Sequence, residues 1–173
     1  MADTPDFLTL RRNRDRSGRT EVVIKRVLLV LVALLCLAGL ANVFGQRPES
    51  STAAASAASL KLYAPARVRS GLYFEARFTI DAHQDVKDAV LVLDPGWAEG
   101  ITINTIEPSP VGEASRDGKL ALELGHIPAG TTYLLFFQAQ VNPTNVGRRS
   151  QDVALYDGDT FITRIDRTIT IFP

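Results

Sequence analysis

The sequence holds one cysteine, one tryptophan, one methionine and two histidines. Cys36 lies within an apolar run, so residues 46–173 contain no cysteine and no disulfide can staple that part of the chain. A domain there is held by its core alone, which fits a bacterial envelope better than a eukaryotic cell surface. The only Asn-x-Ser/Thr match, "NPT" at 142–144, is disqualified by its proline.

Catalytic chemistry lacks its parts as well. Nucleophilic catalysis needs a Ser or Cys beside a His and an orienting acid; the only histidines are His83 and His126, and the sequence has no nucleophile elbow. In "DAHQD" the residues Asp81, His83 and Asp85 alternate and would share a face if a strand ran through them. A metal needs more ligands than these, so a polar loop is the expectation. Asp157 and Asp159 flank Gly158 in a loop too short for a calcium shell. The expectation is a non-enzyme with no metal and no cofactor. Nucleic acid is not an expected partner, because Arg148-Arg149 is a small patch on an acidic domain.

What the sequence does have is "VLLVLVALLCLAGLANVF" at 27–44, inside an uncharged stretch from residue 27 to residue 46. Twenty helical residues span about 30 Å, the thickness of a bilayer's hydrocarbon core. A cleaved signal usually has a shorter apolar region and a shorter leader, so residues 27–45 are expected to stay as a transmembrane helix. Residues 1–26 carry seven basic residues against four acids, a net +3, and the remainder of the chain carries twelve against fifteen, a net −3. The positive-inside bias puts 1–26 in the bacterial cytoplasm and the C-terminal part outside a cytoplasmic membrane. The bilayer is thus the first expected partner. Ala38, Ala41, Asn42 and Gly45 fall at i, i+3, i+4 and i+7, a small-residue face on which another helix could pack. The alternative is that Asn42 and Gly45 mark the end of the helix.

"QRPESSTAAASAAS" at 46–59 has no large apolar residue and reads as a linker. From residue 60 to 173 the texture changes to short alternating runs. "LYFEARFTID" (72–81) puts Leu72, Phe74, Ala76, Phe78 and Ile80 on one face. "AVLVLD" (89–94), apolar on both faces, is expected to be central. Further strands are expected at 101–107, 119–124, 131–141, 152–157 and 160–172, with Arg167 interrupting the last. Asp117-Gly118 and Asp157-Gly158 are hairpin dipeptides. About seven strands without helices indicate an all-β antiparallel sandwich, preceded by one transmembrane α-helix.

"ARVRSGLYFEARFTI", "VKDAVLVLDPGWAEGITI" and above all "LGHIPAGTTYLLFFQAQV" (124–141) resemble the immunoglobulin-like repeat domains of bacterial surface proteins. The resemblance implies an immunoglobulin-like sandwich in an extracytoplasmic setting and supplies no catalytic residue. This chain departs from the pattern in having a single copy with its anchor at the N-terminus.

Binding is the function class left. On the 131–141 strand Tyr133, Leu135, Phe137, Ala139 and Val141 form one face, which leaves Leu134 and Phe136 on the other. Apolar residues outside a two-layer core mark an interface, unless a loop covers them or the register slips. Trp97 in "DPGWAEG" is a second candidate if exposed, though burial is the commoner place for an indole. Two functions stay open: an accessory or scaffold subunit of a polytopic membrane protein, and a cell-wall polysaccharide-binding module.

Overall fold

The computed structural model describes residues 19–43 and 45–173, which form two compact units, 19–43 and 45–173. The basic segment 1–26 falls largely outside the described residues. In the first unit helix α1 (Arg19–Leu40) includes a span, Thr20–Leu40, long and apolar enough to cross a membrane. No Gly or Pro interrupts residues 19–26, so the helix begins before the apolar run and places Glu21 and Lys25 one turn apart, paired at 2.7 Å.

The helix ends earlier than expected. Asn42 turns left-handed at φ 54°, its N–H donates to Gly39 O, and the Val43 N–H donates to Ala38 O. These two bonds are a Schellman cap with Asn42 just past the end, a place Asn tolerates because its short side chain accepts the left-handed region. The transmembrane segment 27–45 is corrected at both ends: the helix opens at Arg19 and closes at Leu40.

The second unit is a sandwich with thirteen strands among the described residues. They are β1 (Pro48–Ala54), β2 (Ala58–Pro65), β3 (Arg67–Arg69), β4 (Tyr73–Ala82), β5 (Val86–Leu93), β6 (Ile101–Glu107), β7 (Gly112–Arg116), β8 (Lys119–Ile127), β9 (Thr132–Val141), β10 (Gly147–Ser150), β11 (Val153–Asp157), β12 (Thr160–Ile165) and β13 (Thr168–Phe172). The first sheet has the order β1-β2-β4-β9-β6 and the second β12-β11-β5-β8-β7. A small sheet, β10-β13-β3, contains the one parallel pairing among the described residues, β13 with β3. Strand β5 is central, which explains its unbroken apolar run: Leu91 and Leu93 face the core while Val90 and Val92 lie under Tyr156 on the other side.

The core sits between the two large sheets, with Leu60, Leu62, Phe78, Ile80, Leu135 and Phe137 of the first against Leu91, Leu93, Leu122 and Leu155 of the second. Trp97, from a 3-10 turn at Pro95–Trp97, closes this core in ring contact with Phe78 at 5.3 Å and Phe137 at 5.5 Å. Gly96 is required beside it, because a Cβ there would stand 2.1 Å from Ser150 O.

Three expectations are corrected. Segment 46–59 is no linker: β1 pairs with β2 from Pro48↔Pro65 to Ala54↔Ser59. An edge strand needs backbone pairing but little apolar surface, and of β1 only Ala53 packs on the core. The domain therefore starts well before residue 60. Segment 160–172 is two strands, since the chain leaves the second sheet at Asp166-Arg167 and joins the small one. Leu72 is exposed rather than inward.

Candidate functional site

Alternation along β2, β4 and β9 assigns each residue of the first sheet to the core or to the outer face, and the pairing register lines up the outer residues. Tyr63 on β2 lies opposite Arg77 on β4, which lies opposite Phe136 on β9. The Arg77 guanidinium stands 5.0 Å from the centre of the Phe136 ring and 5.9 Å from that of Tyr63. Glu75 pairs with the same guanidinium at 3.2 Å. One row along, Lys61, Thr79 and Leu134 are neighbours. Leu134 is 39% exposed and Tyr63 43%, with Phe136 half-buried beneath Arg77. The register is as the alternation requires, so Leu134 and Phe136 do lie outside the core. An aromatic–arginine–aromatic row on a solvent-facing sheet has the composition of a protein interface.

Trp97 is a correction. It is fully buried, its Nε1–H donates to Gln151 O at 3.0 Å, and it offers nothing to a partner. Gln151, also fully buried, donates to Gly96 O at 3.2 Å, and the Arg167 guanidinium stands 5.6 Å from the indole. Arg167 donates to Pro65 O at 2.8 Å, and burial pushes its pKa down to about 10 against the opposing pull of Glu49.

The small-residue face of the helix is not assembled. Of Ala38, Ala41, Asn42 and Gly45 only Ala38 is in α1, and past the Schellman cap the helical spacing no longer applies.

The outer face of the second sheet carries ion pairs. Lys119 contacts Asp94 at 2.7 Å, Arg164 contacts Asp152 and Asp166, and Arg116 contacts Asp159 at 2.9 Å while lying 4.2 Å from the Tyr156 ring. Burial alone would raise the Asp94 pKa, but hydrogen bonds from Lys119 and Ser150 and the charges of Lys119 and Arg164 outweigh it and hold the carboxyl low. Each of these three cations is matched to a carboxylate, so their charges are neutralised within the face.

The histidine cluster comes apart. Strand β4 stops at Ala82, so the alternation through Asp81, His83 and Asp85 stops too. Asp81 accepts from Thr132 at 2.6 Å, and Asp85 contacts His126 Nε2 at 2.7 Å. Among the described residues no three His, Cys, Asp or Glu side chains gather as a metal site. Asp157 accepts from the Asp88 N–H at 2.8 Å, which ties the β11–β12 turn to β5. A cleft of about 610 Å³ opens between the edges of β6 and β7, and Glu113 is the one titratable residue in its lining.

No family model matches the sequence, and no curated protein matches it. Among solved structures the chain is similar to an exo-β-N-acetylglucosaminidase from Vibrio harveyi, at 12% identity and a TM-score of 0.25, over 73% of this chain and 18% of that one. The chain thus spans under a fifth of that enzyme's length, and a likeness this low carries no argument about activity.

Proposed function

We propose that this chain is a non-catalytic, single-pass protein of the bacterial cytoplasmic membrane. Its N-terminus lies inside, and it presents an immunoglobulin-like sandwich outside as an accessory or scaffold subunit of a larger membrane protein. The observation that carries this is the Tyr63–Arg77–Phe136 row with Leu134 beside it, an exposed apolar surface on the first sheet. Tyr, Phe and Arg are the residues that anchor protein contacts, since each gives a large area at small entropic cost. The helix keeps the sandwich near any partner in the same bilayer, and the docking contact is the sheet rather than α1.

The test is copurification from native membranes in mild detergent through a C-terminal tag. A polytopic protein in stoichiometric amount is expected, and Leu134→Asp with Phe136→Asp should release it without loss of the fold. A chain that purifies alone refutes the proposal.

A second reading, a wall-polysaccharide module, draws on Tyr63 and Tyr73, whose rings are exposed on the same face and suited to stacking on sugar. It requires the chain to sediment with purified wall and Tyr63→Ala with Tyr73→Ala to abolish this.

A further inference from the structure

The small sheet concentrates positive charge on a domain that is otherwise acidic. Its segments, with the chain leading into β1, are residues 45–49, 66–72, 146–150 and 168–173, and they contain five arginines and one acid, Glu49. The register explains how distant arginines meet. Thr170 on β13 pairs with Arg67 on one side and Arg148 on the other, and Phe172 pairs with Arg69. Side chains directly across a ladder point to the same face, and here Val68, Ile169 and Ile171 take the core, which leaves Arg67, Arg69 and Arg148 facing out. Arg69 Nε donates to Pro173 O at 3.2 Å, and its fork has further donors.

Three observations say what this face meets. It lies at the end of the sandwich that the chain enters from α1: Gln46 donates to Tyr73 O at 2.5 Å, and Arg47 O accepts from Ala66, next to Arg67. Exposed aliphatic residues accompany the arginines, Leu72 at 45% and Val146 at 43%. The acids Asp85, Asp88 and Asp157 gather at the opposite end, where Asp159 is paired with Arg116, Gly158 donates to Asp88 O and His83 to Ala57 O, so acids outnumber the cations there. The domain is therefore charged positive at one end and negative at the other.

We infer that the small sheet is a lipid-docking face, on which Arg67, Arg69 and Arg148 engage the anionic phosphates of the bilayer that holds the helix. Charge complementarity favours this occupant, because each basic residue near an anionic surface strengthens partition about fivefold, while the acidic end is repelled outward. The aliphatic rim suits the boundary between headgroups and acyl chains. Residues 41–47, between helix and first strand, reach at most about 25 Å when extended, so the face has lipid within range. The inference rests on the helix remaining in the membrane.

The test uses the full chain with Cys36→Ser, reconstituted in nanodiscs of phosphatidylcholine with or without phosphatidylglycerol. A fluorophore is placed at Thr168→Cys, beside the arginines, or at Ala129→Cys, at the opposite end, and is quenched by a nitroxide on the lipid headgroup. Quenching at 168 is expected to exceed that at 129 several-fold in anionic discs. It should fall in neutral discs, in high salt, and in the Arg67→Gln/Arg69→Gln/Arg148→Gln variant, whose melting temperature should match the parent because these side chains are exposed. Equal quenching at the two positions, or quenching at 168 indifferent to lipid charge, overturns the inference. If the triple variant instead releases a copurifying protein while quenching at 168 is low throughout, the face is a protein contact and lipid docking is likewise overturned. Failure of the anchoring premise looks different: the chain would not elute with discs at all, and native membranes would yield it truncated after the helix.

Discussion

Replacing Trp97 tests whether this disulfide-free domain depends on one aromatic cluster. Trp97 is fully buried, with Phe78 and Phe137 at 5.3 and 5.5 Å and an indole N–H on Gln151 O at 3.0 Å. Truncating a buried Trp to Ala costs about 3–5 kcal/mol through lost transfer energy and the cavity left behind. The stranded Gln151 carbonyl adds about 1–3 kcal/mol if no new donor reaches it. Trp97→Phe retains a ring against Phe78 and Phe137 and loses the donor, so it should cost about 2 kcal/mol. For a domain of this size 1 kcal/mol moves the melting temperature by roughly 3–5 °C, which predicts a fall of more than 10 °C for Trp97→Ala. The assay is thermal and urea unfolding of the full chain in detergent, followed by the β-sheet circular dichroism signal over the constant helix contribution. Because the chain has one tryptophan, the parent's fluorescence independently reports whether the indole is dry when folded. A Trp97→Ala chain unfolding within about 1 kcal/mol of the parent would refute the placement of this residue at the centre of the core.

Other substitutions probe its surroundings. Gly96→Ala should destabilise by several kcal/mol on the order of an overpacked core, since the new methyl meets Ser150 backbone oxygen at 2.1 Å; an unchanged urea midpoint would contradict this close approach. Arg167→Met should leave stability within about 1 kcal/mol or raise it: the burial that pushes its pKa down to about 10 corresponds to a charge cost of about 3 kcal/mol, which the Pro65 hydrogen bond and the indole contact roughly offset. The depressed pKa of this base means that the parent gains stability as pH rises through about 10 and the Met variant lacks that gain, measured as a difference in urea midpoints across alkaline pH. Asp94 likewise gives stability that rises with pH, in the acid range and through a favourable rather than an unfavourable charge. Its carboxyl is held below 3.8, so its contribution is full above that pH and is lost as pH falls through the lowered value; Lys119→Met should flatten this part of the acid-unfolding curve.

Legibility followed apolar patterning. β4, β6, β9 and β11 could be read to within a residue or so because their alternation is driven by burial on one face. The outward placement of Leu134 and Phe136 followed from the same rule. β1, β7 and β10 escaped because Pro48–Ala54, Gly112–Arg116 and Gly147–Ser150 are polar or small rim strands held by backbone bonds, which leave no periodic trace. β2 does leave a periodic trace: Leu60, Leu62 and Ala64 alternate with Lys61 and Tyr63. The helical face through Ala41, Asn42 and Gly45 failed because spacing is meaningful only while the helix lasts, and an Asn can end one where a Gly is commoner. The basic face of the small sheet is invisible in sequence, since Arg67 and Arg148 are brought together by a ladder and not by proximity along the chain.

Strand β1 gives the connection behind α1 an adjustable length. None of its seven residues is fully buried, and its neighbour β2 is already paired with β4 on the other side, so peeling it away breaks one ladder and uncovers little core. Once released, those seven residues join the stretch behind Leu40 and add about 25 Å of reach when drawn out. On the function proposed above, tension between membrane and partner would be met first by this strand paying out like line from a reel, while the core around Trp97 stays closed.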